Sequence, residues 1–460
     1  MSTRYRPYTP EQPCLLPSSP QDWMPQDHLA YLVRDVVRAL DLSAIHRWHL
    51  KDPRGAPAFD PVMMVSLLLY AWCSDIYSSR RTAMLCVGDL GGRYLAAGEQ
   101  PDFRTISTFR LQHGDALADL FVQSVRLCQS AGMVSLGHVA LDGTKLAANA
   151  SKRKAMSYGR MVRAESDLRA EIAEMQRRSQ AEDATEDTLF GKDSSGFDLP
   201  TELKFRESRL ARILEAKAQL EAEARLAAET RAAEREAKRP QDDDRPRRGR
   251  KPKDPETALP KQTAQRGFTD PESRIMKSGT GEWVQGYNAQ AAVDCDHQVI
   301  VACDLTNMAA DAPHLQPLME QAARNTGAVP TEKSADAGYF SAENVLSQTS
   351  PYSQPFIPPD RVRHGHKTVP VLQDADDANP SVADQMRKLL STQEGREAYA
   401  NRMKTVEPVF GQIKGCPGSP GFRQFLRRGL KKAGQEWRWQ CATHNLLKYM
   451  RHQLAATPVG

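Results

Sequence analysis

The spacing of apolar residues divides the chain into a helical N-terminal part and a later part that alternates strands with helices. Between residues 27 and 133, apolar positions recur every three or four residues, as they do on one face of an amphipathic helix. Leu29, Val33 and Val36 begin this pattern. We therefore predict an all-helical domain over 27–133, preceded by an extended arm over 1–26 that is rich in proline and serine.

The pattern changes after residue 137, where short apolar segments typical of strands replace the helical spacing. Residues 138–148 are compatible with a first strand, and residues 287–305 predict a β-hairpin around a polar turn. Two more short strands, at 333–335 and 354–357, alternate with predicted helices. This order predicts an α/β core with a mixed five-stranded sheet and flanking helices. The core is expected to comprise residues 134–150 and 281–453, with a C-terminal tail over 454–460.

The two parts of this core are separated by a segment of different composition. Residues 151–238 are rich in Ala, Glu, Arg and Lys, which are strong helix formers. Apolar residues near heptad spacing, such as Leu210, Ile213 and Leu220, predict an antiparallel helical hairpin, although Lys217 falls on the apolar seam. Residues 239–280 read as a basic, proline-rich linker.

Composition and charge narrow the function classes. No apolar run of about 18 residues is present, so no transmembrane helix is expected, and the N-terminus lacks the apolar stretch of a secretory signal. The eight cysteines form no CxxC pair, which favours neither a zinc site nor a disulfide framework. A reduced, cytosolic compartment fits this cysteine usage. The net charge of +5 is modest, but basic clusters at 245–253 and 422–432 favour a polyanionic partner, with a solvated charged surface as the alternative.

Three acidic residues lie in short segments that suit a shared site for divalent metal ions. Asp142 lies on the first predicted strand, Asp336 lies at the end of the strand predicted at 333–335, and Glu407 lies in a predicted helix. Carboxylate oxygens suit Mg²⁺, and two such ions can drive an in-line displacement at a phosphodiester. Each residue alone has a simpler interpretation, as a turn residue for the two aspartates and as a solvent-facing helix residue for Glu407.

The segments around these acids carry a family resemblance. Residues 141–145, 286–290, 335–340 and 406–414, together with 102–110 in the helical domain, resemble a DDE-type insertion-sequence transposase of bacteria, which has an RNase H-like catalytic core. The resemblance covers nearly the whole chain except the helical insertion. It implies that the helical domain over 27–133 serves DNA binding or dimerisation, and that the protein is cytoplasmic and associated with the nucleoid of a bacterium.

The resemblance implies a catalytic and metal-binding triad of Asp142, Asp336 and Glu407. It also implies two Mg²⁺ ions, for which Mn²⁺ would substitute, and double-stranded DNA as partner, bound by a homodimer in a synaptic complex. Tyr399, Arg402 and Lys414 fit the positions of the family's tyrosine, arginine and lysine around the glutamate. The expected DNA-contacting residues are Lys145, Tyr399, Arg402, Lys414, the linker residues Arg247, Arg248, Arg250 and Lys251, and the aromatic residues Trp283 and Tyr287. For the two aromatic residues, stacking on an unpaired base competes with packing in the core.

The function that the resemblance implies is that of an active transposase. It would bind the terminal inverted repeats of its own element, cleave there and join the 3′-hydroxyls to target DNA. Two alternatives remain open: a nuclease or recombinase on the same core that does not transfer strands, and a domesticated DNA-binding protein. The presence of all three acids argues against the second alternative.

Overall fold

The structure is a computed structural model of the chain. It describes residues 22–49, 57–151, 154–190, 201–237, 255–278, 281–346, 353–360, 380–415 and 420–456.

Seven helices form the N-terminal part of the described chain, which confirms the predicted helical pattern. Each long apolar segment forms a helix, and Asp60 caps the most buried one by accepting the backbone N–H of Val62 at 2.6 Å. The helices are α1 (Leu29–Ala39), α2 (Ser43–His49), α3 (Pro61–Cys73), α4 (Ser79–Gly88), α5 (Leu90–Leu95), α6 (Phe103–Gln112) and α7 (Gly114–Ser130).

A mixed sheet flanked by helices follows, in agreement with the predicted α/β core. The strands are β1 (His138–Ala147), β4 (Arg274–Lys277), β5 (Trp283–Asp294), β6 (Ile300–Thr306), β7 (Glu332–Ala335) and β8 (Gln354–Phe356). Their order in the sheet is β4-β5-β1-β7-β8, and β6 also pairs with β5. The remaining helices of the core are α10 (Leu315–Thr326), α11 (Ala342–Leu346), α12 (Val382–Ser391), α13 (Gln393–Lys414) and α14 (Leu430–Ala456).

The sheet has one strand more than the sequence predicted. The extra strand is β4, which pairs antiparallel with the first residues of β5. It lies inside 239–280, the segment expected to be a linker, as does β3 (Gln265–Gly267). Both strands are only three or four residues long, so their periodicity does not distinguish them from a loop. Their conformation depends on the strands they pair with, which are β2 (Ala155–Ser157) for β3 and β5 for β4.

The helical insertion folds as the predicted antiparallel hairpin. Helix α8 (Tyr158–Phe190) packs against α9 (Thr201–Ala237) along a small apolar core of its own. Lys217, which falls on the seam, lies 2.7 Å from the carboxylate of Glu165 on the opposite helix. Because that contact neutralises the ammonium group, the apolar seam tolerates a lysine. A two-stranded sheet of β2 (Ala155–Ser157) and β3 connects the hairpin to the core.

The N-terminal helices and the sheet share one hydrophobic core. Trp72 on α3 packs against Phe422 and against Trp439 of α14, with ring centroids 5.6 and 6.2 Å apart. Arg110 on α6 forms a buried ion pair with Glu436 on α14, at 2.8 Å. The helical part is therefore fixed rigidly to the part that carries the three acids. Within the described residues, no helix is long and apolar enough to cross a membrane.

Candidate active site

Asp142 lies in the middle of the sheet, on β1 between β5 and β7. One oxygen of its carboxylate accepts the backbone N–H of Gly143 at 2.7 Å, and the other accepts from Arg402 at 3.0 Å. Burial raises the pKa of Asp142 to about 6, against the lowering effect of Arg402, and the charge of Asp336 raises it further. A carboxyl group in this environment favours a cation beside it.

Asp336 lies next to Asp142 because of the register of two parallel strands. Leu141 on β1 pairs with Ala335 on β7, so the two aspartates occupy equivalent positions one residue further on. Adjacent strands are about 4.8 Å apart, and residues at equivalent positions point to the same face. The side chain of Asp336 also caps the following turn by accepting the N–H of Gly338 at 2.9 Å. The two carboxylates thus meet although 194 positions separate them in the sequence.

Glu407 approaches the pair from helix α13, which packs on β1, β5 and β7. Its side chain is half exposed, and its carboxylate lies 3.5 Å from the guanidinium of Arg402. Arg402 therefore contacts Asp142 with one terminal nitrogen and Glu407 with the other. The structure brings all three predicted acids to one place, with a cation of the protein between two of them.

The three carboxylates form a donor set that suits a hard divalent cation. Hard carboxylate oxygens on two strands and a helix suit Mg²⁺. Among the residues that the structure describes, no group of three or more His, Cys, Asp or Glu side chains is arranged closely enough to hold a metal ion. The guanidinium of Arg402 occupies the space between the carboxylates of Asp142 and Glu407.

The other residues predicted from the helix around Glu407 also face this site. The guanidinium of Arg402 lies over the ring of Tyr399, 5.8 Å from its centroid. Lys414 is near enough to Asp142 for that negative charge to raise its pKa, although burial lowers the pKa by more. Arg402 itself is largely buried, and its Nε has no hydrogen-bond partner within the described residues.

The remaining predicted DNA contacts differ in their surroundings. Lys145 forms an ion pair with Asp311 at 3.0 Å. Trp283, at the start of β5, is exposed. Tyr287 is fully buried and donates its hydroxyl to both oxygens of Asp270 at 2.9 Å, so it packs in the core, the alternative left open for it, and its ring is not accessible to a base. Arg247, Arg248, Arg250 and Lys251 lie outside the described residues.

Sequence reasoning missed one carboxylate beside this site. Asp311 precedes a short 3-10 helix, Ala312–His314, and its charge contributes to the raised pKa of Asp142. In the sequence Asp311 is an acidic residue close to a proline at the start of a helix, and no neighbouring residue indicates a role in the site. Gln290 donates a hydrogen bond to Asp311 and lies in the segment 286–290 that resembles the family.

Fold and site together define an α/β protein with a cluster of acidic residues. Two of these residues lie on adjacent parallel strands, and the third lies on a helix that packs against those strands. Two family models match the chain: Transposase domain (DUF772) over residues 18–112 and Transposase DDE domain over residues 368–450. The second match contains Tyr399, Arg402, Glu407 and Lys414. Both models describe transposase domains, and together they support a DDE-type insertion-sequence transposase. Proteins of this class act on DNA and generally use divalent metal ions. No curated protein and no solved structure matches the chain.

Proposed function

We propose that this transposase binds the terminal inverted repeats of its own insertion sequence, cleaves phosphodiester bonds there and transfers the resulting 3′-hydroxyl ends to target DNA. The sheet with its flanking helices would be an RNase H-like core, and a homodimer would pair the two ends in a synaptic complex. The observation that carries the proposal is the convergence of Asp142, Asp336 and Glu407 around Arg402.

In this proposal the three carboxylates hold Mg²⁺, or Mn²⁺ in its place, which would polarise the phosphodiester and lower the pKa of the attacking hydroxyl. The residues of the chain hold the three carboxylates in position. The parallel register of β1 and β7 holds Asp142 and Asp336 at a fixed separation, as a rigid scaffold should. Glu407 completes the set from a helix, where small movements of α13 adjust its distance.

Positive charge beside the acids would position the DNA. Arg402 and Lys414 would bind the phosphates that flank the scissile bond, after Arg402 has released the carboxylates. The ring of Tyr399 packs against the guanidinium of Arg402. Trp283 has an exposed ring that would stack on a base. Lys145 and the basic linker at 247–251 would add phosphate contacts that do not depend on sequence.

The test is a cleavage and joining assay on a mini-element with both ends and a target plasmid. Asp142→Asn, Asp336→Asn and Glu407→Gln should each abolish cleavage and joining, because each change removes one negative charge from the site. Binding to end DNA, measured by gel shift, should persist in all three. Glu397→Gln is the matched control, since Glu397 is an exposed glutamate on the same helix that binds Gln393 and faces none of the three acids.

Two results would contradict the proposal. Full cleavage by any one of the three variants would remove that residue from the catalytic set. Cleavage by the wild-type protein with no joined product, under conditions in which a free 3′-hydroxyl end is supplied, would favour a nuclease over a strand transferase.

A further inference from the structure

Asp311 accepts three hydrogen bonds with one oxygen of its carboxylate. The donors are Lys145 at 3.0 Å, Asn288 at 2.7 Å and Gln290 at 2.8 Å. Lys145 comes from β1, the strand of Asp142, and the other two come from β5. Asp311 thus joins two neighbouring strands at the level of the active site, from a loop that belongs to neither.

Glycine on β1 makes room for this arrangement. Gly143 pairs with Gln290 and stands beside Asp142. A Cβ atom at this position would lie 2.3 Å from the amide nitrogen of Gln290 and 2.9 Å from the bound oxygen of Asp311. The space that a side chain would occupy is therefore filled by the polar groups of Asp311 and its partners.

The same network reaches the second aspartate of the site. The side-chain oxygen of Gln290 accepts a hydrogen bond from the hydroxyl of Tyr339, which is fully buried three residues after Asp336. The free oxygen of Asp311 faces the same turn, since a Cβ atom on Gly338 would lie 3.3 Å from it. A continuous path therefore runs from β1, through Asp311 and Gln290, to the turn that carries Asp336.

A second path strengthens this connection. The side-chain amide of Asn344 donates to the carbonyl oxygen of Ala312 at 2.8 Å and to that of Tyr339 at 2.7 Å. The residue after Asp311 and the residue that ends the Asp336 turn are thus held by one amide group. The loop of Asp311 and the turn of Asp336 therefore behave as one unit.

We propose that Asp311 is a positioning residue of the active site, which fixes the Asp336 turn relative to Asp142 through Gln290 and Tyr339. The proposal rests on the proposed function, because it gives Asp142 and Asp336 a shared cation. Asp311 contacts neither aspartate through a hydrogen bond; it sets their separation by holding the groups that surround them. Groups that orient metal ligands in this way change metal affinity or activity by about 10- to 100-fold when removed.

The experiment compares Asp311→Ala with the double variant Asp311→Asn/Lys145→Gln in the full chain. Alanine removes the acceptor. Asparagine keeps an oxygen for Gln290 and Asn288, and glutamine at position 145 removes the ammonium group that would otherwise lose its counter-charge. The measurements are Mn²⁺ binding by electron paramagnetic resonance, single-turnover cleavage of end DNA against Mn²⁺ concentration, DNA affinity and the thermal unfolding midpoint.

Asp311→Ala should weaken Mn²⁺ binding and slow cleavage at fixed Mn²⁺ by about tenfold or more, with DNA affinity unchanged. The double variant should recover Mn²⁺ binding to within about threefold, since the hydrogen-bond acceptor is restored and the local net charge matches that of the wild type. Lys145→Gln also removes a proposed phosphate contact, so Mn²⁺ binding in the absence of DNA is the measurement that decides for this variant. Asp311→Ala with wild-type Mn²⁺ binding and cleavage would overturn the proposal, and so would a folded double variant that binds Mn²⁺ as weakly as the alanine variant.

Tyr339→Phe keeps the proposal falsifiable if Asp311→Ala does not fold, since it removes only the hydroxyl that binds Gln290. It should weaken Mn²⁺ binding in the same direction, and wild-type Mn²⁺ binding in this variant would overturn the proposed path. Failure of the proposed function gives a different result. In that case Asp142→Asn would bind Mn²⁺ and cleave DNA as the wild type does, whatever the Asp311 variants do.

Discussion

The buried ion pair between Arg110 and Glu436 tests most directly how the N-terminal helices are held to the α/β part of the chain. Glu436 is 3% exposed and Arg110 is 11% exposed, and their nearest atoms are 2.8 Å apart. The second oxygen of Glu436 accepts the backbone N–H groups of Leu426 and Arg427, at 2.9 and 3.1 Å. The perturbation is Glu436→Gln, which keeps the shape and the acceptor for these backbone groups but removes the charge.

The expected loss follows from the surroundings of Arg110. Removal of one partner from a buried ion pair costs about 3–5 kcal/mol, because an uncompensated charge stays buried. Arg110 retains the carbonyl oxygen of Tyr77 at 3.0 Å and the face of Trp72 at 5.3 Å, so we expect the lower end, about 3 kcal/mol. At about 2 °C per kcal/mol for a large domain, the thermal midpoint should fall by about 6 °C.

Calorimetry of the full chain measures this shift, and an exposed pair supplies the control. Asp115 and Lys431 join α7 to α14 at 3.2 Å, but both are more than 70% exposed, so Asp115→Asn should shift the midpoint by about 2 °C or less. Arg110→Met added to Glu436→Gln removes the buried charge and should recover part of the loss. A Glu436→Gln midpoint equal to that of the control, or additive losses in the double variant, would refute the reasoning.

Three further predictions concern the site and the core. Gly143→Ala should abolish cleavage and lower the free energy of unfolding by about 1–3 kcal/mol in urea, because its Cβ would lie 2.3 Å from the Gln290 amide. Burial lowers the pKa of His444 to about 4, so stability present above pH 6.5 should fall by about 3 kcal/mol as pH drops to 4, measured by urea unfolding at each pH. Tyr287→Phe leaves buried Asp270 short of a donor and should cost about 1–3 kcal/mol by the same method.

Each of these has an outcome that contradicts it. Wild-type cleavage by Gly143→Ala would mean that the polar groups beside β1 yield easily to a methyl group. The sign of the pH effect follows because the unfolded chain binds a proton at His444 below pH 6.5 while the folded chain does not; a stability profile unaltered by His444→Gln would exclude this group as its source. Unchanged stability of Tyr287→Phe would show that Asp270 finds another donor.

Much of the fold follows from the local spacing of apolar residues, but some contacts around the candidate site could not be predicted from that spacing. Apolar periodicity reports which face of an element is buried, so it could predict several elements. They are the helices over 27–133, the strand that carries Asp142, the strand that ends before Asp336 and the antiparallel α8–α9 hairpin. Strand β4 could not be predicted, since its four residues take their conformation from pairing with β5. Asp311 could not either, since its partners lie on strands more than 20 and 160 residues away.

The sequence by itself determined the long helices, the longer strands, the place of the insertion and the three acids with their surrounding motif residues. Only the tertiary structure decided that Arg402 lies between Asp142 and Glu407, that Tyr287 is core and that Asp311 stands beside the site. The physical reason is the range of the forces involved. Periodicity and capping act within a few residues, whereas ion pairs and polar networks depend on distances that exist only once the strands have paired.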